Sequence, residues 1–112
     1  MIESYSFGRI TIDDKTYKSD IIILPGRIQS SWWRKTGHRL CLEDLSGVDF
    51  RDVEAFIIGT GAMGLMKVDR EVRDFIAGKH IELLIEKTNE AVRAYNAISA
   101  KKKTAAALHL TC

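Results

Sequence analysis

Residues that could hold a phosphate group stand directly after a short apolar run in the middle of the chain. The glycine turn, Gly59–Gly64, has the spacing G-x-G-x-x-G and follows the apolar residues Ala55–Ile58. In dinucleotide-binding folds, such glycines allow a tight turn and a close approach of the backbone to a pyrophosphate. The motif therefore raises three alternatives: a purely structural turn, a small anion site and a dinucleotide site.

The sequence around the glycine turn weakens the dinucleotide interpretation. Leu65–Val68 separate the glycines from Asp69, the predicted N-cap of the next helix, so that helix would not begin at the phosphate. Glu82 lies roughly twenty residues downstream, where a ribose-binding acid is sought, but it stands inside a predicted strand. We therefore rank a structural turn first, an anion site second and dinucleotide binding last, and we expect no cofactor.

The anion hypothesis makes a specific prediction about which residues meet. Backbone amides of a turn form concave anion sites. Arg93 and Asn96 follow each other on a predicted helix and could face the turn at the carboxyl ends of the strands, the edge that ligands favour in α/β sheets. The predicted anion or ligand pocket consists of Gly59, Thr60, Gly61, Met63, Arg93 and Asn96.

A second group of residues combines aromatic rings with positive charge. Residues 26–39 contain two tryptophans and four Lys or Arg side chains but no acidic one. Trp and Arg are favoured in protein interfaces, whereas aromatic rings beside cations also bind single-stranded nucleic acid. The predicted interface consists of Trp32, Trp33, Arg34 and His38. A protein partner or a homo-oligomer is the first hypothesis, and nucleic acid is the least favoured because the net charge is only +2.

Other reactive residue types do not form a persuasive pattern. Two H-x-x-C pairs, His38 with Cys41 and His109 with Cys112, contain residue types that bind zinc. Side chains alternate along a strand, so an extended C-terminal segment would direct His109 and Cys112 to opposite faces. No serine or cysteine has the local signature of a nucleophile. We therefore assign no metal ligands and no catalytic residues, and a non-catalytic protein is favoured over an enzyme.

Composition limits the kind of protein that must position these residues. A chain of 112 residues forms one domain, here residues 1–112, with enough core to fold without disulfides. Its two cysteines favour a reducing compartment. The first residues lack the pattern of a signal peptide, and no apolar run approaches the roughly twenty residues of a membrane span. We therefore expect a soluble cytoplasmic protein that does not associate with membranes.

Periodicity predicts an α/β fold. Near-alternating apolar residues up to Tyr17 and the β-branched run Ile21–Leu24 indicate an antiparallel β meander, and we expect a further short strand around Ser31–Arg34. Strands and helices alternate in the second half: Ala55–Ile58, a helix after Asp69, Ile81–Ile85, a helix capped by Thr88, and Ala105–Leu110. Two right-handed βαβ crossovers would build a parallel core. The prediction is a three-layer domain with a mixed central sheet.

The second half of the chain also resembles a known family. The segments Ile81–Asn96 and Lys102–Leu108 are similar to the adipogenesis-associated Mth-domain family, whose pattern is a strand, a Thr-capped helix ending in Tyr-Asn, and an alanine-rich strand. The matching positions are Ile57–Gly61, Thr88, Ala91, Arg93, Tyr95, Asn96 and Ala105–Ala107. The family includes uncharacterised prokaryotic proteins, a vertebrate protein linked to adipocyte differentiation and a mitochondrial complex I assembly factor.

This resemblance implies a three-layer α/β fold with a mixed sheet, and it implies no established enzymatic activity and no cofactor. One position departs from the family. Many members carry a cysteine in the Thr-capped helix where this chain has Val92, so thiol chemistry at that helix is not expected here. Three functions stay open: a binding or assembly protein, a protein that binds a small molecule or anion, and a protein that binds single-stranded nucleic acid.

Overall fold

The computed structural model describes every residue of the chain, 1–112, as ten strands, two α-helices and a short 3-10 helix. The strands are β1 (Ile2–Ser6), β2 (Arg9–Ile12), β3 (Lys15–Tyr17), β4 (Ile21–Leu24), β5 (Arg27–Gln29), β6 (Arg39–Leu40), β7 (Ala55–Thr60), β8 (Lys67–Val68), β9 (Glu82–Glu86) and β10 (Thr104–His109). The α-helices are α1 (Arg70–Gly78) and α2 (Thr88–Ser99), and the 3-10 helix spans Leu42–Leu45. Neither α-helix is long and apolar enough to cross a bilayer.

A mixed five-stranded sheet forms the centre of the fold, in the order β5-β4-β10-β7-β9. Strands β10, β7 and β9 are parallel, whereas β4 and β5 are antiparallel to their neighbours. The chain passes from β7 through α1 to β9, and then returns through α2 past β7 to β10. Because the two crossovers run in opposite directions with the same hand, their helices cover opposite faces of the sheet.

The core lies in two layers, one on each face of the central sheet. Along β7, Phe56 and Ile58 face the layer that contains α1, while Ile57 faces the layer that contains α2. The separate antiparallel sheet β1-β2-β3 packs on the α2 side, where Ile10 is fully buried. The small side chains of Ala105–Ala107 on β10 are also fully buried. The predicted three-layer fold with a mixed sheet and an N-terminal meander is therefore confirmed.

Three local predictions are wrong. The run Ile21–Leu24, predicted as part of the meander, forms β4 in the central sheet between β5 and β10. The strand expected around Ser31–Arg34 lies instead at β5, because Ile28 pairs with Ile23 across the turn after β4, while Ser31 adopts φ 56° and leaves the extended conformation. Thr88 does not cap α2: Lys87 occupies the N-cap position and Thr88 is the first helical residue. Asp69 does precede α1 as its N-cap.

Candidate functional site

The glycine turn and the segment around Arg34 lie at one edge of the central sheet. The parallel strands β7 and β10 end there, at Thr60 and His109. Strand β4 begins at the same edge because it runs antiparallel to β10, with Ile21 opposite Leu108. Asp20, which precedes β4, is therefore brought beside His109. We call this side of the molecule the carboxyl edge.

A buried cluster of charged and polar groups occupies the carboxyl edge. One Asp20 carboxylate oxygen, Oδ2, accepts a hydrogen bond from Arg34 Nη1 at 2.6 Å and lies 2.8 Å from His109 Nδ1. The other, Oδ1, accepts from the Leu110 amide at 2.8 Å. The side chains of Arg34 and His109 are only 5% and 7% exposed. The cluster therefore ties β4, β10 and the segment around Arg34 together.

His109 cannot satisfy both of its charged neighbours in one tautomer. Its Nδ1 lies 2.8 Å from Asp20 Oδ2 and 3.1 Å from Arg34 Nη2. Protonated Nδ1 donates to the carboxylate, whereas unprotonated Nδ1 accepts from the guanidinium. In either case Nε2 is buried without a hydrogen-bond partner, as is Arg34 Nε. Two polar atoms at this site thus have unused hydrogen-bonding capacity.

The environment of Asp20 favours its charged form. Burial raises the pKa of the Asp20 carboxyl, but hydrogen bonds from His109, the Leu110 amide and Arg34 outweigh that effect. The net result is a pKa below the ordinary value of 3.8. Asp20 is therefore an ionised partner for Arg34 at neutral pH, and the pair neutralises a guanidinium that would otherwise be buried alone.

The tryptophan loop, residues 30–38, places its two indoles in opposite environments. Trp32 is 5% exposed, donates from Nε1 to the Asp44 carbonyl at 3.0 Å and has the Arg34 guanidinium 5.1 Å from its ring centroid. Trp33 is 83% exposed. The Asp44 carboxylate accepts a hydrogen bond from the Lys35 amide at 3.0 Å. The loop is thus fixed on both sides of an exposed aromatic ring.

Two open hollows flank Trp33. The first, about 460 Å³, is lined by Ser19, Asp20, Ser31, Trp32, Trp33, Arg34, Lys35 and Gly37. The second, about 680 Å³, shares five of these residues and is completed by Gln29, Glu43, Asp44, Ser46 and Gly47. Most of the residues in both linings are polar, and Trp33 is the exposed large apolar side chain in each.

The glycine turn lies at the same edge but is engaged within the chain. The Gly61 amide donates to Thr88 Oγ1 at 2.8 Å, and that hydroxyl donates to the His109 carbonyl at 2.6 Å. The amides of Ala62 and Leu65 donate to the carbonyls of Thr111 and Cys112. Gly61 has φ +106°, and a Cβ on it would overlap the Cys112 backbone. Close approach of the C-terminal segment explains why glycine stands here.

Comparison with known proteins places the chain in a family. Residues 2–109 match the family described as "Protein of unknown function (DUF498/DUF598)". The chain belongs to this family. The conserved hypothetical protein PH1505 from Pyrococcus horikoshii OT3 is 30% identical, with a TM-score of 0.88 and a match that covers 100% of this chain and 99% of that one.

Two further structures support this assignment. An outer membrane protein from Bartonella henselae is 29% identical, with a TM-score of 0.83 over 99% of this chain and 94% of its own. The protein MT938 is 26% identical, with a TM-score of 0.80 over 100% of this chain and 98% of its own. The DUF498/DUF598 chain therefore has the same fold as MT938 and belongs to a family of unknown function.

The structure separates the residues of the predicted anion pocket. Gly59 and Gly61 contact Thr88, and the Thr60 hydroxyl donates to the Glu86 carbonyl. Arg93, in contrast, is exposed on α2. Asn96 forms two hydrogen bonds with the backbone of Ile2, at 2.9 and 2.8 Å. Met63 is 64% exposed. No hydrogen bond or ion pair joins Arg93 or Asn96 to the glycine turn, and an anion pocket in this DUF498/DUF598 chain stays a prediction.

The predicted interface divides into an exposed and a buried part. Trp33 and His38 are exposed, whereas Trp32 and Arg34 are held inside the loop that presents them. Sequence reasoning missed Asp20 altogether and considered His109 only as a zinc ligand. Both cysteines are free thiols, and the chain contains no group of three or more His, Cys, Asp or Glu side chains arranged to hold a metal ion. The sequence feature that could have identified Asp20 is its position as an acidic residue directly before an apolar strand.

Proposed function

We propose that this protein is a non-catalytic binding or assembly protein that holds a protein partner at a surface centred on Trp33. The observation that carries the proposal is the combination of an indole that is 83% exposed with a loop whose neighbouring side chains are buried. Exposed Trp side chains are rare on surfaces that serve only to contact water, and Trp is among the residues that contribute most to binding free energy in interfaces.

The rigidity of the tryptophan loop supports this role. The Trp32 amide donates to the Asp20 carbonyl at 2.9 Å, and Arg34 Nη2 donates to the Gly37 carbonyl at 2.9 Å. The buried Asp20–Arg34 pair fixes the residue that follows Trp33. A loop backbone that is held in place before binding loses little conformational entropy when a partner covers it, so more of the burial of Trp33 contributes to affinity.

The surroundings of Trp33 resemble the rim of a protein interface. Lys35 pairs with Glu43 at 2.8 Å, so charges of both signs stand beside the ring. The polar hollows on either side can admit partner side chains and water. Because opposite charges are mixed around an apolar centre, the surface suits a protein better than a polyanion, which requires a continuous basic stripe.

Two further considerations favour assembly in a reducing compartment. The family resemblance seen in the sequence includes a mitochondrial complex I assembly factor, and a role in assembly requires protein contacts of the kind proposed here. The two free cysteines are compatible with the cytoplasm. The partner could also be a second copy of this chain, which would form a homo-oligomer through the same surface. In both cases the exposed indole of Trp33 would be buried at the interface.

Affinity capture with matched variants tests the proposal. The tagged wild type, Trp33→Ala and Phe7→Ala would be incubated with lysate of the cells that naturally produce the protein. Phe7 is the control because it is also an exposed aromatic, at 61%. We expect at least one protein to be retained by the wild type and Phe7→Ala but about tenfold less by Trp33→Ala.

Light scattering after gel filtration measures the molar mass in solution and so tests whether the protein forms a homo-oligomer through Trp33. A dimer of the wild type that Trp33→Ala dissociates, while both keep the same melting temperature, would support a self-assembled interface. If Trp33→Ala retains the same proteins in the same amounts and the same mass as the wild type, the proposal is wrong.

A further inference from the structure

The central sheet ends on β9, a strand that pairs on one side only. Its neighbour in the sheet is β7, and no strand follows it in the order β5-β4-β10-β7-β9. The three central residues, Leu83, Leu84 and Ile85, are aliphatic and only partly buried. The pairing of β7 with β9 is regular, and the strand contains no proline. β9 therefore lacks two features, a bulge and a proline, that commonly protect an edge strand from pairing.

The register shows which backbone groups point away from the sheet. The Glu82 amide donates to the Glu54 carbonyl of the segment leading into β7, at 3.1 Å. In a parallel ladder, alternate residues direct both their N–H and C=O groups to the same neighbour, so Leu84 and Glu86 also face β7. Leu83 and Ile85 consequently direct their amides and carbonyls outward. These four groups could bind an additional strand.

A second copy of the chain fits this edge poorly. Antiparallel pairing of two β9 strands about Leu84 would place Glu82 directly opposite Glu86 twice, and like charges in that position are destabilising. A shift by one residue would place the outward backbone groups of one strand opposite residues whose groups face β7, so the two strands could not form hydrogen bonds. A shift by two residues would place Leu84 opposite Glu86. The carboxylates thus act against self-association through this strand.

The carboxylates of Glu82 and Glu86 also determine which kind of added strand would fit this edge. Glu82 binds Lys102 at 2.9 Å but its side chain is still 49% exposed, and Glu86 is exposed with no basic group within ion-pair distance. Lys87, next in sequence, has its stem against Gly64, with Cγ 3.2 Å from the position of a Cβ there. Glu82, Leu84 and Glu86 share one face of the strand because side chains alternate. That face therefore carries an acidic, an apolar and a second acidic side chain in order along the strand.

We infer that β9 binds an extended segment of another protein, which adds a sixth strand to the sheet and carries Lys or Arg opposite Glu82 and Glu86 with an apolar residue between them. Backbone hydrogen bonds with Leu83 and Ile85 would supply affinity, and the alternating side chains would supply specificity, as in other cases of strand addition. This inference does not depend on the Trp33 surface, because it concerns a different strand and a different set of contacts.

A peptide titration followed by amide chemical shifts tests the inference. The probe is a capped peptide with the core Lys-Val-Val-Val-Lys and Gly-Ser flanks, and the matched control has Glu in place of both lysines. We expect shifts centred on Leu83 and Ile85, and about tenfold weaker binding of the Glu peptide, since two attractive cross-strand pairs become repulsive.

Variants of the protein separate this inference from the proposed function. Glu86→Lys should abolish the preference between the two peptides, because each peptide then meets one attractive and one repulsive partner on β9. Its melting temperature should be unchanged because residue 86 is exposed. Trp33→Ala should leave the titration unaltered. Equal binding of both peptides by the wild type, shifts located elsewhere, no shifts at millimolar peptide, or a concentration-dependent dimer through β9 would each overturn the inference.

Discussion

The glycine turn and the tryptophan loop lie at the same edge of the central sheet, but they use their polar groups differently. In the glycine turn, the Gly61 amide donates to the Thr88 hydroxyl, which donates to the His109 carbonyl, and the C-terminal segment closes over them. In the tryptophan loop, the buried polar groups hold up a large apolar ring that contacts water. The first arrangement is complete within the chain, whereas the second leaves surface to be covered.

This difference shows why a motif and a site should be distinguished. G-x-G-x-x-G spacing describes backbone freedom, and here that freedom serves close packing between Gly61 and Cys112. The tryptophan loop has no recognised motif, yet it combines an exposed indole with unpartnered buried nitrogens of Arg34 and His109. Five changes test whether the glycine turn is purely structural and whether the buried polar cluster supports the exposed surface of the tryptophan loop.

Asp20→Ala should have the largest effect on stability. It leaves the Arg34 guanidinium buried without its carboxylate, and we expect the free energy of unfolding to fall by about 3–5 kcal/mol. Urea denaturation would measure the change. Asp20→Asn, which keeps the shape and one acceptor, should lose less. Equal stability of Asp20→Ala and the wild type would mean that the cluster does not support the loop.

Gly61→Ala should have the next largest effect. The new Cβ overlaps the Cys112 backbone and the residue must keep φ +106°, so we expect a loss of about 3 kcal/mol. Gly26→Ala is the matched control, since Gly26 has φ +86° but nothing within 4 Å of its Cβ position. A loss of only about 1–2 kcal/mol is expected there. Identical losses would show that the C-terminal segment does not close the turn.

Thr88→Val should destabilise the protein through unpaired polar groups. Valine keeps the shape but leaves the buried Gly61 amide and His109 carbonyl without this partner, for an expected loss of about 2–3 kcal/mol. Thr88→Ser retains the hydroxyl and should be closer to the wild type in thermal unfolding. If both variants unfold at the same temperature, the hydroxyl is not what holds the turn to β10.

Long-range pairing explains how much of these regions the sequence could predict. The three long strands and the two helices after Ala55 were predictable because their apolar periodicity is local, and the structure bears them out, whereas the two-residue strand β8 was not predicted. The Asp20–His109 and Arg34–His109 contacts join residues 89 and 75 positions apart, so no local spacing encodes them. Similarly, the hydroxyl of Thr88 suggested a cap in the sequence, whereas its actual partners come from two other segments.

Acid should weaken the tryptophan loop before the glycine turn. The pKa of Asp20 lies below 3.8 in the folded chain, so its stabilising effect is present above that pH and is lost as the pH falls towards the folded value. Below about pH 4 the wild type should therefore lose stability more steeply than Asp20→Asn. Asp49 is a control: Arg51 lowers its pKa to about 2, but the pair is exposed, so Asp49→Asn should change the slope little.

Arg93→Ala should have the smallest effect and bears directly on the anion prediction. Arg93 is exposed and makes no hydrogen bond or ion pair within the chain, so its removal should change stability by less than about 0.5 kcal/mol. If the glycine turn is purely structural, inorganic phosphate should raise the melting temperature of the wild type and Arg93→Ala equally. A phosphate-dependent increase that Arg93→Ala abolishes, and that Lys101→Ala at the end of α2 does not, would show that the turn and α2 hold an anion together. The carboxyl edge would then contain two sites, and the contrast between its two regions would no longer hold.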